Sequence, residues 1–142
     1  MSLGVQFSRL PRPVSSRLFP ILRYTNLMRA LEMHYLDPWT RQVQGQRVLD
    51  VGCGHGLYSL DLVRRDAELV GCDLSVGDLA AARETATGLG LDVQAAYCLA
   101  DGAGLPVPES AFDLVVCNCV LEHIVDDHRA LLGMHRLSLI HI

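Results

Sequence analysis

From Val48 onward, short apolar runs alternate with helix-patterned segments, and few folds accept that order. The pattern predicts a strand over 47–52, a helix over 57–65 and a short strand over 68–73. A second helix opens at Ser75, where Ser75 and Asp78 form a capping arrangement. Val76, Leu79, Ala82 and Ala86 supply its buried stripe, and Gly88 and Gly90 end it. LDVQAAYC alternates as a third strand, and a Gly/Pro-rich loop holding Asp101, Gly102, Gly104, Pro106 and Pro108 follows. FDLVVCNCV is apolar on both faces, as a central parallel strand should be. A last helix over 126–136 begins with Asp126 and Asp127 at the positive end of its dipole. Strand, helix, strand, helix at this spacing means βαβ units, hence a parallel sheet with right-handed crossovers. Ligands of such sheets lie beyond the carboxyl ends of the strands where strand order reverses, here between the first and fourth strands.

The turn after the first strand carries the chemistry. VLDVGCGHGLYSLDL places Asp50 at the end of an apolar run and glycines at 52, 54 and 56 before a helix. Glycines there allow positive φ and let a ligand press on bare backbone, while the helix start offers N–H groups to an anionic group. The dinucleotide fingerprint GxGxxG fails: a match from Gly52 needs its third glycine at Leu57, and one from Gly54 needs it at Ser59. A carboxylate ~4 Å from a unit charge interacts by about 4 kcal/mol at an effective dielectric near 20, so Asp50 repels a pyrophosphate and attracts a cation. S-adenosylmethionine fits, with a carboxylate for backbone N–H groups, an ammonium and a sulfonium for nearby acids, and no phosphate. Asp73 ends the second strand and is placed to accept both ribose hydroxyls, as a nucleotide enzyme would also arrange. Asp101, after the third strand, can accept from the adenine amino group.

Composition narrows the partners. Half of the 142 residues are apolar and a fifth are charged, enough to bury a core in one domain. Residues 1–47 hold seven Arg against Glu32 and Asp37, net +5, whereas residues 48–142 hold five Arg against fourteen acids, net −9. That acidic body gives no footprint for nucleic acid, which is not expected as a direct partner although the basic arm leaves it open. No apolar run approaches a membrane span of roughly 20 residues, and no secretory h-region is present, so a cytoplasmic location is expected. The Arg-rich, acid-free start also reads as a mitochondrial targeting segment, but Pro11, Pro13 and Pro20 interrupt a helix there, and a loose basic arm is the expectation. Five cysteines without CxxC spacing signal neither a disulfide framework nor a zinc ribbon, and no metal is expected.

VLDVGCGHG, VGCDLS and LADGAGLPVPESAFDLVVCNCVLEHI, taken in order and at this spacing over about Arg47 to Arg136, resemble the class I S-adenosylmethionine-dependent methyltransferases. The resemblance is strongest to the small-molecule subgroup that includes quinone-biosynthesis C-methyltransferases. It implies a Rossmann-like, doubly wound α/β sheet, here incomplete, with about four parallel strands and the later strands missing. It implies that Asp50, Gly52, Cys53 and Gly54 line the methionine end of the cofactor, Asp73 the ribose, and Leu74 one adenine face. Asp101 would meet the adenine amino group with Gly102 beside it, and Asn118 would close the pocket near the methyl group. Residues 1–20 then form a basic Pro-containing arm, 21–46 a helical lid or cap, 47–136 the cofactor-binding core, and 137–142 a truncated or non-native tail.

Methyl transfer is an in-line displacement at a sulfonium carbon, so the protein mainly aligns reactants and excludes water. A base is needed only if the acceptor must lose a proton. His123 is the nearest candidate, with Glu122 and His128 behind it, though a positional or helix-capping histidine is the more ordinary reading of the sequence. His55 either contacts the cofactor or faces solvent. Tyr24 and Tyr35 lie on one face of a helix that Asp37 and Pro38 are expected to stop, and serve either a lid or the core. An unpaired edge along Asp113 to Cys119 would favour self-association. The acceptor is expected to be a small molecule. The competing functions are a non-catalytic cofactor-binding or interaction module and, further off, a nucleotide-dependent oxidoreductase.

Overall fold

The computed structural model describes residues 27–138; the basic arm 1–20, Tyr24 and residues 139–142 lie outside the described residues. Helix α1 (Leu27–Thr40) precedes β1 (Arg47–Val51), α2 (Leu57–Arg64), β2 (Glu68–Asp73), α3 (Val76–Leu89), β3 (Ala95–Leu99), β4 (Leu114–Val116), a 3-10 turn (Leu121–His123) and α4 (Asp127–Leu137). The four strands form one parallel sheet in the order β3-β2-β1-β4. The chain steps outward from β1 to β3 and then crosses to the other side of β1, so strand order reverses between β1 and β4 as the sequence predicts.

Strand alternation divides the core between the two faces of this sheet. Val48, Leu69, Tyr97, Leu114 and Val116 pack with Leu60, Leu62, Leu79 and Ala82 under α2 and α3. Leu49, Val51, Cys72 and Val115 pack with Leu105, Ala130, Met134 and Leu137 under α4 and the loop that returns from β3. Local signals place the helix ends. Ser75 Oγ accepts from the Asp78 N–H at 3.2 Å to start α3, and Gly90 at φ 73° ends it. Asp126 accepts from the Arg129 N–H at 3.0 Å to start α4.

Three elements differ from the sequence expectation. Helix α1 continues through Pro38 to Thr40. Proline removes one donor, but the Arg41 N–H still reaches the Asp37 carbonyl at 2.9 Å and Thr40 Oγ1 donates to Leu36 O at 3.0 Å, so the last turn closes around it. Asp37 does not act as a stop signal: its carboxylate binds Arg65 Nη1 at 2.6 Å, and Arg65 also grips the buried Asp61 at 2.9 Å, tying α1 to α2. Strand β3 begins at Ala95, because the Leu91 N–H returns to Ala86 O at 2.9 Å in closing α3 and Val93 is left exposed. Strand β4 stops at Val116, and Cys119, at φ 56°, then bends the chain into the 3-10 turn.

The end of α4 folds back on the start of β4. Leu137 is fully buried, the Phe112 N–H donates to its carbonyl at 3.2 Å, and Ser138 Oγ donates to Asp113 O at 3.0 Å. Phe112 and Asp113, just ahead of β4, are therefore occupied by Leu137 and Ser138. Among the described residues no helix is long and apolar enough to cross a membrane.

Candidate functional site

The glycine turn is pinned to the end of β2. The N–H groups of Gly52 and Cys53 both donate to Cys72 O, at 2.8 and 3.0 Å, and the Gly54 N–H donates to Asp73 Oδ2 at 2.8 Å. Asp73 Oδ1 accepts from the Ser75 N–H, also at 2.8 Å, so one carboxylate joins the turn to the start of α3. Each of its oxygens keeps a lone pair for a further donor. Helix α2 starts from Gly56 at φ 72° with no side-chain cap, which leaves its first N–H groups to a ligand. His55 is turned outward to Asp78, with Nε2 3.2 Å from Oδ1.

A cleft of about 240 Å³ lies beside this turn, beyond the carboxyl ends of the strands. Val51, Gly52, Asp73, Leu74, Ala100 and Asp101 line one part of it, and Gly102, Val120, His123 and Ile124 the rest. Gly52 allows the closest approach: at φ 74°, a Cβ there would stand 2.3 Å from Val120 Cγ2. Gly102 is similarly tight, since a Cβ would come within 3.0 Å of both Ile124 Cδ1 and Val51 Cγ1. Asp101 is exposed, and its Oδ1 accepts from the Ala103 N–H at 2.9 Å, which curls the loop around it. The wall thus carries two carboxylates, one imidazole and neither Lys nor Arg. Such a wall disfavours phosphate and suits a neutral or cationic ligand.

Six residues expected from the sequence meet here: Gly52, Asp73, Leu74, Asp101, Gly102 and His123. Four others lie off this wall. Alternation along β1 turns the buried Asp50 away from the Val51 face toward α2, where the Ser59 hydroxyl donates to it. The Cys53 thiol packs behind the turn, its Sγ 2.9 Å from where a Cβ on Gly71 would sit. Gly54 spends its N–H on Asp73. Asn118 follows β4, half-buried, with Cys119 Sγ 3.6 Å from its Oδ1. Glu122 and His128 are exposed, and Tyr35 stands exposed on α1. Val51, Ala100, Val120 and Ile124 were not legible as wall residues, because they are ordinary apolar side chains brought in by the tertiary fold.

Burial, with Asp50 adding to it, pushes the Cys53 thiol well up; burial also takes Cys72 to about 12 and Cys117 to about 11. At pH 8 such thiols are ionised to about one part in a thousand or less. Iodoacetamide at that pH is therefore expected to label the exposed Cys98 and Cys119 and to spare these three, read by peptide mass spectrometry. Among the described residues no group of three or more His, Cys, Asp or Glu gathers to hold a metal ion.

The family model for a methyltransferase domain matches residues 49–138. The chain is similar to the ubiquinone biosynthesis O-methyltransferase of Alkalilimnicola ehrlichii, 37% identical over 113 residues, covering 75% of this chain and 43% of the relative. The protein of the same name from Pseudomonas entomophila is 34% identical over 107 residues, covering 75% and 45%. These relatives are named for transfer to oxygen rather than carbon. A solved S-adenosylmethionine-dependent methyltransferase from Mesorhizobium loti is 32% identical, with a TM-score of 0.62, and the match covers 72% of this chain and 49% of that one. The MccD protein structure superposes with a TM-score of 0.69 at 26% identity, covering 75% and 48%. The chain spans less than half the length of the curated relatives it matches.

Proposed function

Since the chain belongs to the methyltransferase-domain family, we propose that its cleft binds S-adenosylmethionine and serves methyl transfer to a small-molecule acceptor. The observation that carries this reading is Asp73, which faces the cleft while its carboxylate fixes both the glycine turn and the start of α3. The donor set fits the cofactor: carboxylates for hydroxyl and amino groups, an uncapped helix start for a carboxylate, and no cation for a phosphate.

In this reading Asp73 holds the ribose diol with its remaining lone pairs, and Asp101 accepts from the adenine amino group through Oδ2. Leu74 and Ile124 offer apolar faces to the base, and the close backbone of Gly102 shapes the space around it. The first N–H groups of α2 take the amino-acid carboxylate beside Gly52, Cys53 and Gly54. Asp50 contributes negative charge from behind the turn, and Asn118 borders the methyl group from the end of β4. S-adenosylmethionine supplies a methyl group on a sulfonium, ready for in-line displacement. Val120 keeps water from the approach, and an imidazole nitrogen of His123 takes the acceptor's proton as its oxygen attacks. An oxygen acceptor follows from the names of the relatives.

Methyl-labelled S-adenosylmethionine and hydroxylated aromatic acceptors test this in the 142-residue chain, with His123→Ala beside it. Label in the acceptor, falling about a hundredfold in the variant, is the expected result. Cofactor binding without transfer would support the non-catalytic reading for this chain. Self-association is proposed along the part of the β4 edge beyond Phe112, and sedimentation at twice the chain mass would bear it out. The cytoplasm is proposed as its compartment, supported by five cysteines that all remain free, and cell fractionation checks it.

A further inference from the structure

We propose that Tyr97 is a positioning residue that braces the glycine turn from behind the sheet, acting through Gly71 and Gly56; its consequence for binding rests on the methyl-donor reading of the cleft. Tyr97 lies on β3 opposite Gly71 on β2, and its side chain is 7% exposed. The ring runs across β2 directly over Gly71, where a Cβ would stand 2.8 Å from Cδ1 and 2.9 Å from Cε1. Gly71 is thus required by contact rather than by its backbone angle.

The far end of the ring meets the last glycine of the turn. A Cβ on Gly56 would stand 2.9 Å from the Tyr97 hydroxyl oxygen and 3.0 Å from Ala82 Cβ. The Cys53 thiol reaches the same spot over Gly71. The ring therefore lies against Gly56 at the far end of the turn and over Gly71, whose neighbour Cys72 accepts from the Gly52 and Cys53 N–H groups at the start of the turn. The near end is anchored as well, because Arg83 of α3 donates to the Tyr97 carbonyl. Behind the turn lies a rigid aromatic plate fixed to α3, rather than compliant aliphatic core.

The hydroxyl itself is not the working part. It is buried and has no hydrogen-bond partner among the described residues, so it is a liability that the ring's position outweighs. Phenylalanine should therefore do as well at this position and leucine should not.

The test compares Tyr97→Phe, Tyr97→Leu and a control, Leu69→Ala, which opens the same core far from the turn. Amide hydrogen exchange over residues 52–58 is read first, and calorimetry with S-adenosylhomocysteine second. Y97L is expected to raise exchange in the turn about tenfold over L69A at matched thermal stability, and to weaken binding by a similar factor. Y97F should match the parent in both and melt about 2–5 °C higher. Turn exchange in Y97L no faster than in L69A, or Y97F behaving like Y97L, overturns the brace. If Y97L does not fold, Gly71→Ala pushes the ring from the other side and should raise exchange likewise; no rise there also overturns it. A parent that fails to bind S-adenosylhomocysteine sinks the methyl-donor reading, while exchange still decides the brace.

Discussion

Replacing Gly52 with alanine is expected to abolish cofactor binding and to lower the melting temperature by on the order of 10 °C. Two penalties act together. The backbone there sits at φ 74°, a left-handed conformation that costs a residue with a Cβ roughly 1–2 kcal/mol. The added methyl would also stand 2.3, 2.6 and 2.9 Å from Val120 Cγ2, Cγ1 and Cβ. Overpacking of that kind costs about 1–3 kcal/mol, and it is relieved only by moving the turn or the segment after β4. Either movement deforms the cleft. Adding Val120→Ala removes the two closest contacts and leaves the one to Cβ and the backbone strain, so the double variant should recover less than half of the lost stability. Thermal melts of the single and double variants separate the two penalties, and an unchanged Gly52→Ala protein would refute the contact.

The second large effect is expected at Asp73. Alanine there strips the acceptor from the Gly54 and Ser75 N–H groups and removes the carboxylate that faces the cleft. Hydrogen bonds to a charged group contribute about 1.5–3 kcal/mol each, so the loss of those to the ribose alone should weaken binding a hundredfold or more. Stability should fall less, because the carboxylate is only half-buried and water can reach the two N–H groups. Asp73→Asn, which keeps the shape and one carbonyl acceptor, should lie between the parent and alanine. Titrations of the three proteins with S-adenosylhomocysteine check the order, and equal affinities would remove Asp73 from the site.

Much of this was legible in local pattern. The alternation of apolar runs placed β1 and β2 within a residue, and Ser75, Gly90 and Asp126 marked helix ends because capping is decided within a few residues. The reversal of strand order between the first and fourth strands was legible in the βαβ pattern, and with it the end of the sheet that bears the cleft. The errors have the same source. Pro38 looked like a stop because its missing donor is a local fact, whereas the grip of Arg65 on Asp37 comes from another helix. LDVQ alternated like a strand, but the closing bond of α3 claimed it first.

Within the site, glycines and acids at strand ends were readable because few roles suit them. The direction of a side chain was less so. Asp50 and Asp73 end neighbouring parallel strands, yet one is buried against Ser59 and the other faces the cleft. Val120 over Gly52, and Tyr97 beneath Gly56 through Gly71, depend on contacts between segments tens of residues apart, and no spacing rule announces them.

The methyl-donor site proposed for this chain rests on the glycine turn and Asp73. Calorimetric titration of the 142-residue chain with S-adenosylhomocysteine, beside the same titration with NADH, tests it most directly. One site of about micromolar affinity, near −8 kcal/mol, is expected for S-adenosylhomocysteine, and no measurable heat from NADH. A folded chain that ignores S-adenosylhomocysteine, or that binds NADH as tightly, would contradict it.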